Sequence, residues 1–198
     1  FAPDETDAVI NLGGIANITF LSPEWKGYDV GPANALLDQW AVQHLNQPFD
    51  AGGQWAKSGS VQDVLLREWL NDPFFQQAPP KSTGRDYFSL QWMGEQCRNY
   101  EPQDVQATLV ALTVEILKRE LTGCKRIYFC GGGVRNTYLM NQLELALNLP
   151  CPTSAVFGVD PQWMEAIGFA WLAAAHLRGD LFDLAPITGG KKTILGVL

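Results

Sequence analysis

Two stretches of this chain hold residue types that could do chemistry. The first is Lys125-Arg-Ile-Tyr-Phe-Cys-Gly-Gly-Gly-Val-Arg-Asn136, in which a β-prone run over 126–130 meets Gly131, Gly132 and Gly133 before Asn136 opens a helical pattern. A buried strand that turns through glycines into a helix suits a nucleotide, because a ligand can lie against backbone that lacks Cβ atoms and near the first N–H groups of the helix. A plain strand-to-helix turn that needs positive φ reads the same way. The run is not a P-loop, since no Gly-Lys-Ser/Thr follows, and the G-x-G-x-x-G spacing of a dinucleotide site is absent. The second stretch is Gly27-Tyr-Asp-Val-Gly-Pro-Ala-Asn34. Pro32 suits the first turn of a helix carrying Leu36, Leu37, Trp40 and Leu45, which puts Asp29 just ahead of a helix N-terminus. Two readings stay open for it: a turn or capping aspartate, and a carboxylate at the mouth of a site where it can accept a proton.

The remaining elements are those needed to position these residues. Ala8–Gly14 and 15–21 form a predicted hairpin around Gly13-Gly14, with Asn11, Asn17 and Thr19 as polar members that either satisfy the turn or face a phosphate or sugar. A glycine-rich loop over 49–59 carries Asp50 and Lys57, and a helix is predicted over 60–70. The loop Pro79-Pro-Lys-Ser-Thr-Gly-Arg-Asp86 carries Lys81 and Arg85 and is either a solvated connection or functional. A helix over 102–121 has Val105, Leu109, Leu112 and Ile116 on one stripe, with Asp104 and Lys118-Arg119 at the ends that suit its dipole. After the glycines come a helix with Leu139, Met140, Leu143 and Leu147 on its buried face, a short strand over 151–156, and an Ala-rich helix over 162–177 suited to packing on a sheet. A terminal strand closes the chain from Thr193. The order predicts an α/β domain with a mixed sheet and helices on both of its faces.

Composition narrows the function classes. Across 198 residues, 46% are hydrophobic and 18% charged, which is a folded chain with a real core. The net charge of −7 and the lack of a Lys/Arg cluster argue against nucleic acid as a partner. No apolar run reaches membrane-span length and no signal peptide is recognisable, and Cys97, Cys124, Cys130 and Cys151 lack metal-ligand spacing; a cytoplasmic protein without a metal site of its own is expected. His44 and His176 have no ligand partner at i+4.

Five motifs in order resemble anhydro-N-acetylmuramic acid kinases of the sugar kinase/Hsp70/actin superfamily: Asn11-Leu-Gly-Gly-Ile-Ala-Asn-Ile-Thr19, Tyr28-Asp-Val-Gly-Pro-Ala-Asn34, Pro80-Lys-Ser-Thr-Gly-Arg-Asp-Tyr-Phe88, Cys130-Gly-Gly-Gly-Val-Arg-Asn136 and Glu165-Ala-Ile-Gly-Phe-Ala-Trp-Leu172. The resemblance implies an actin-like ATPase (ribonuclease H-like) lobe. Residues 1–198 would be the C-terminal lobe, the family's N-terminal Gly-Thr-Ser-x-Asp-Gly turn would lie upstream, and this piece alone is expected to be inactive and to bind ATP weakly. It implies a reaction in which ATP phosphorylates O6 of 1,6-anhydro-N-acetylmuramic acid while water opens the anhydro ring, giving N-acetylmuramic acid 6-phosphate and ADP in peptidoglycan recycling. Asp29 would be the base that activates the water. Gly13, Gly14, Gly131, Gly132 and Gly133 would meet ATP, with Mg²⁺ on its phosphates. Asn34, Lys81 and Arg85 would lie near the sugar, and the enzyme would be a homodimer. Val30 and Ala33 replace a threonine and a second glycine of the family motif, which removes a hydroxyl contact but leaves the base. Ala51-Gly52 stand where the family more often has Lys-Asp, so Asp50 is given no ligand role. Two other functions fit the same glycine turns: a kinase of this superfamily with another acceptor, and a nucleotide-dependent switch without sugar chemistry.

Overall fold

The computed structural model describes residues 7–21, 25–184 and 190–196. Four strands, β1 (Ala8–Leu12), β2 (Ile15–Phe20), β3 (Lys26–Pro32) and β4 (Ile127–Cys130), form one sheet in the order β3-β2-β1-β4. β1 pairs antiparallel with β2 and parallel with β4, so the sheet is mixed, as the element order predicts. The alternation of β1 decides its faces. Ala8, Ile10 and Leu12 are fully buried, whereas Val9 and Asn11 are half-buried on the other side.

The helices are α1 (Asn34–Leu45), α2 (Gln54–Ser58), α3 (Asp63–Leu70), α4 (Leu90–Met93), α5 (Pro102–Glu120), α6 (Thr137–Leu147) and α7 (Met164–Arg178). α5 buries Val105, Leu109, Leu112 and Ile116, the stripe read from its period, and joins Leu36 of α1, Leu65 of α3 and Leu139 of α6 in one core against the buried sheet face. Thr113 of α5 donates to the carbonyl of Pro32, which ties that helix to the end of β3.

Coverage of the two faces is unequal. The second face meets Phe157, whose ring lies 4.6 Å from that of Tyr128, and the first turn of α7, where Glu165 bonds to Asn11. α7 itself buries only Ala175 among the described residues and leaves Ile167, Phe169, Trp171 and Leu177 exposed, Phe169 by 73%; close packing of this helix on the sheet is therefore not seen.

Three local expectations are corrected. Residues 26–32 form a strand, and Pro32 ends it rather than starting a helix, because β2 pairs along Ile15–Phe20 and β3 carries the extended register through Gly27 and Gly31. Residues 151–156 give only a single bridge, Thr153 to Phe129, followed by a 3₁₀ turn over Ser154–Phe157; Pro152 has no N–H for a ladder, and the Thr153 hydroxyl caps the turn at Ala155. The helix predicted from residue 60 begins at Asp63, since the Ser60 N–H is taken by Asp104. At the C-terminus, Thr193 bridges Phe182, and Val197 and Leu198 lie outside the described residues. No described helix is long and apolar enough to cross a membrane.

Candidate active site

The site grows from a polar row across the half-buried face. Asn11, Asn17 and Asp29 are register partners on β1, β2 and β3, so their side chains point the same way on adjacent strands. The Asn17 amide donates to Asp29 Oδ1 at 3.0 Å. Asp29 Oδ2 accepts from the Ser82 hydroxyl and the Thr83 N–H, each at 2.9 Å. Three donors from two elements thus fix the orientation of this carboxylate. At the other end of the row, the Asn11 amide donates to Glu165 Oε1 at 3.1 Å. Two strand spacings put the ends of the row about 10 Å apart.

The glycine turns meet beside this row. The tip of the β1–β2 hairpin sits on the N-terminus of α1: the Gly14 carbonyl accepts from the N–H groups of Ala33 and Ala35, and the Gly13 carbonyl from that of Asn34. α1 has no Ser, Thr or Asp cap, and these carbonyls satisfy its first turn instead. The Asn34 amide reinforces the joint with bonds to the Leu12 and Gly13 carbonyls at 3.1 and 2.8 Å. Arg85 lies over Gly14, where a Cβ would stand 2.8 Å from its Nε.

Gly131, Gly132 and Gly133 divide three tasks among themselves. Gly131 has φ 87° and ψ 173°, and a Cβ there would strike the Asn11 side chain. Gly133 lets the turn press on Leu12, whose Cβ would be 2.7 Å from an added methyl group. Only Gly132 opens toward a cavity, of about 210 Å³, whose other walls include Leu37, Asp38, Phe49, Arg135 and Gln162. The N-terminus of α6 is capped within the protein, since Asn136 accepts from the Leu139 N–H.

One predicted site residue, Lys81, is placed away from any ligand surface. Lys81 turns inward: its side chain is 2% exposed, its ammonium is 3.5 Å from Glu120 and lies 4.9 Å from the centre of the Phe74 ring. Tyr28 donates to the same carboxylate at 2.6 Å, and burial, with Glu120 next, raises the Tyr28 phenol above its ordinary range. Lys81 contributes to the site through its backbone, whose carbonyl accepts from the Asp29 N–H and holds the 79–88 loop along the edge of β3. Replacing Glu120 by Ala would strand the buried ammonium against two rings, and a loss of about 2 kcal/mol or more in chemical denaturation is expected. Asp50, left without a ligand role, caps α2 by accepting from the Trp55 and Ala56 N–H groups, both at 2.9 Å. The four cysteines are free, and burial pushes Cys130 up to about 11, which suits an inert core thiol.

Asp38 and Glu165 have no role predicted from the sequence. Asp38 is half-buried in the cavity wall, one helical turn beyond Asn34. Burial raises its carboxyl from 3.8 to about 6, and the Arg85 guanidinium opposes that rise. A carboxyl whose pKa is raised by folding favours the folded state only while its proton is in place. That contribution is full below pH 4 and is lost as pH rises through 6. With solvent screening discounted for a half-open group, the ionised carboxylate costs about 1 kcal/mol at pH 7. Asp38→Asn is therefore expected to raise the melting temperature at pH 7 by about 2–4 °C, with the gain shrinking toward pH 4.

The family profile of anhydro-N-acetylmuramic acid kinase matches residues 1–198. The chain belongs to that family. Anhydro-N-acetylmuramic acid kinase of Burkholderia ambifaria is 46% identical over 213 residues, covering 100% of this chain and 56% of the relative. The Coxiella burnetii kinase of the same name is 43% identical over 210 residues, covering 98% and 55%. The chain thus spans a little over half the length of the curated relatives it matches. Among solved structures, the activator of the 2-hydroxyisocaproyl-CoA dehydratase from Clostridium difficile with bound ADPNP superposes with TM-score 0.52 at 15% identity, over 91% of this chain and 65% of that one. That likeness speaks for the fold alone, an actin-like ATPase fold.

Proposed function

We propose that this chain is the C-terminal lobe of an ATP-dependent kinase of 1,6-anhydro-N-acetylmuramic acid, acting in the cytoplasm. The observation that carries the reading is the Asp29 carboxylate, held by Asn17, Ser82 and Thr83 next to the glycine turns. In this reading a water gives its proton to Asp29 as its oxygen bonds to C1 of the sugar. The C1–O6 bond breaks, O6 takes the γ-phosphoryl group of ATP, and ADP leaves with N-acetylmuramic acid 6-phosphate. A fixed carboxylate serves both needs, since it accepts the proton and stabilises positive charge growing at C1. Asn11 would hold Glu165 toward the same sugar, and the exposed Arg85 over Gly14 would meet its lactyl carboxylate or a phosphate.

The cavity beside Gly132 would take the nucleoside. It is smaller than the 300–1,000 Å³ that encloses a drug-sized ligand, which suits one wall of a cleft that a second lobe completes. The exposed apolar side chains of α7 suit a face that such a lobe covers. Mg²⁺, which would neutralise the phosphates, is expected to be carried mainly by them, since no group of three His, Cys, Asp or Glu gathers among the described residues. The test is ADP release by the full-length enzyme, which should require the anhydro sugar. Release that is indifferent to the sugar would move the reading to another acceptor or to a switch.

A further inference from the structure

We propose that Asp38 is a specificity residue for the nucleotide, its carboxylate accepting hydrogen bonds from the ribose hydroxyls of a ribonucleoside triphosphate. The inference rests on the reading of the Gly132 cavity as the nucleoside site. Asp38 is a half-buried carboxylate on α1 that accepts no hydrogen bond from any described residue. The other carboxylate in this wall, Asp50, is saturated by the Trp55 and Ala56 N–H groups. The Asn136 side-chain oxygen is likewise spent on Leu139. Asp38 is therefore the carboxylate in the cavity wall still open to a ligand, and what it can bind is a hydroxyl or amine donor. Of the remaining polar groups in the wall, the Arg135 guanidinium only donates, while the Gln162 amide and the Asn34 side-chain oxygen are neutral. Leu37, Phe49 and Gly132 offer apolar and backbone surface.

A ligand that fits this set presents hydroxyl donors at one point, an aromatic face to Phe49, and anionic or carbonyl acceptors to Arg135. A ribonucleotide has all three. The energetics agree with a binding role, since the carboxylate is held in a partly desolvated place that raises its proton affinity, and a donor from a ligand restores part of what water supplied. Residues kept at such a cost to the free protein are commonly ones that bind.

The test uses the full-length enzyme and equilibrium binding of ATP, 2′-deoxy-ATP and 3′-deoxy-ATP, with Asp38→Asn and Asp38→Ala beside the original. The original should bind at least one deoxy analogue about tenfold more weakly than ATP. Asp38→Ala should bind ATP about tenfold more weakly and lose that discrimination, and Asp38→Asn should fall between. Thermal melting identifies any variant that has failed to fold. Three results would overturn the proposal: equal weakening of all three nucleotides in Asp38→Ala, unchanged nucleotide preference together with a raised KM for the sugar, which would make Asp38 a positioning partner of Arg85, or an original enzyme that binds ATP and both analogues alike. Absence of any nucleotide binding by the original would instead remove the nucleoside reading itself.

Discussion

Asp29→Asn in the full-length enzyme is expected to lower kcat about a thousandfold while ATP affinity and thermal stability stay near their original values. The three donors around the carboxylate are the reason. An amide keeps one oxygen, which can remain on the Ser82 hydroxyl and the Thr83 N–H. Its NH₂ group would then face the Asn17 amide, which can turn over and present oxygen instead of nitrogen. The side chain stays in place and loses only the capacity to take a proton and carry negative charge, which is what the proposed step at C1 requires. An effect confined to kcat therefore reports chemistry rather than folding. Turnover within tenfold of the original, with the fold intact, would remove Asp29 as the base.

Gly131→Ala is expected to destabilise the protein by about 3 kcal/mol or more, whereas Gly132→Ala is expected to leave stability within about 1 kcal/mol and to weaken nucleotide binding. At φ 87° and ψ 173°, Gly131 occupies a region open essentially to glycine alone. An added methyl group would also meet the Leu12 carbonyl oxygen at 2.8 Å and strike the Asn11 side chain, which anchors Glu165. At Gly132 the nearest described atom to such a methyl group is Gln162 Nε2 at 4.0 Å, so the new group simply projects beside the cavity. Chemical denaturation and nucleotide titration on the two variants separate a glycine needed by the fold from one that faces the proposed nucleotide cavity. Equal stability losses at both positions would contradict this division.

Those neighbouring glycines also mark how far the sequence could be read. Their run after a β-prone segment was legible as a strand-to-helix turn, because local composition alone produces it. Their division of labour was not, because it depends on Asn11 and Leu12, more than a hundred residues away in the chain. The α5 stripe was legible for the opposite reason, since Val105, Leu109, Leu112 and Ile116 announce their face by spacing. β3 was hidden by Gly27, Gly31 and Pro32, which signal turns; its extended form comes from pairing with β2. Asp29 was found as a candidate, but its three partners follow from cross-strand register and from the 79–88 loop docking on an edge. Lys81 read as part of a polar loop, and only tertiary packing turns it toward Glu120 and Phe74. Asp38 carries no local signal beyond its one-turn separation from Asn34, because its neighbours Gly132 and Arg85 come from distant parts of the chain.

In the proposed reaction one site couples phosphoryl transfer to addition of water at the sugar. The most direct measurement is the mass and stoichiometry of the product made by the full-length enzyme from ATP and 1,6-anhydro-N-acetylmuramic acid. The expected product is heavier than the substrate by one phosphoryl group and one water, formed one for one with ADP. A product that gains the phosphoryl group without the water, or ADP released with the sugar unchanged, would contradict this reaction.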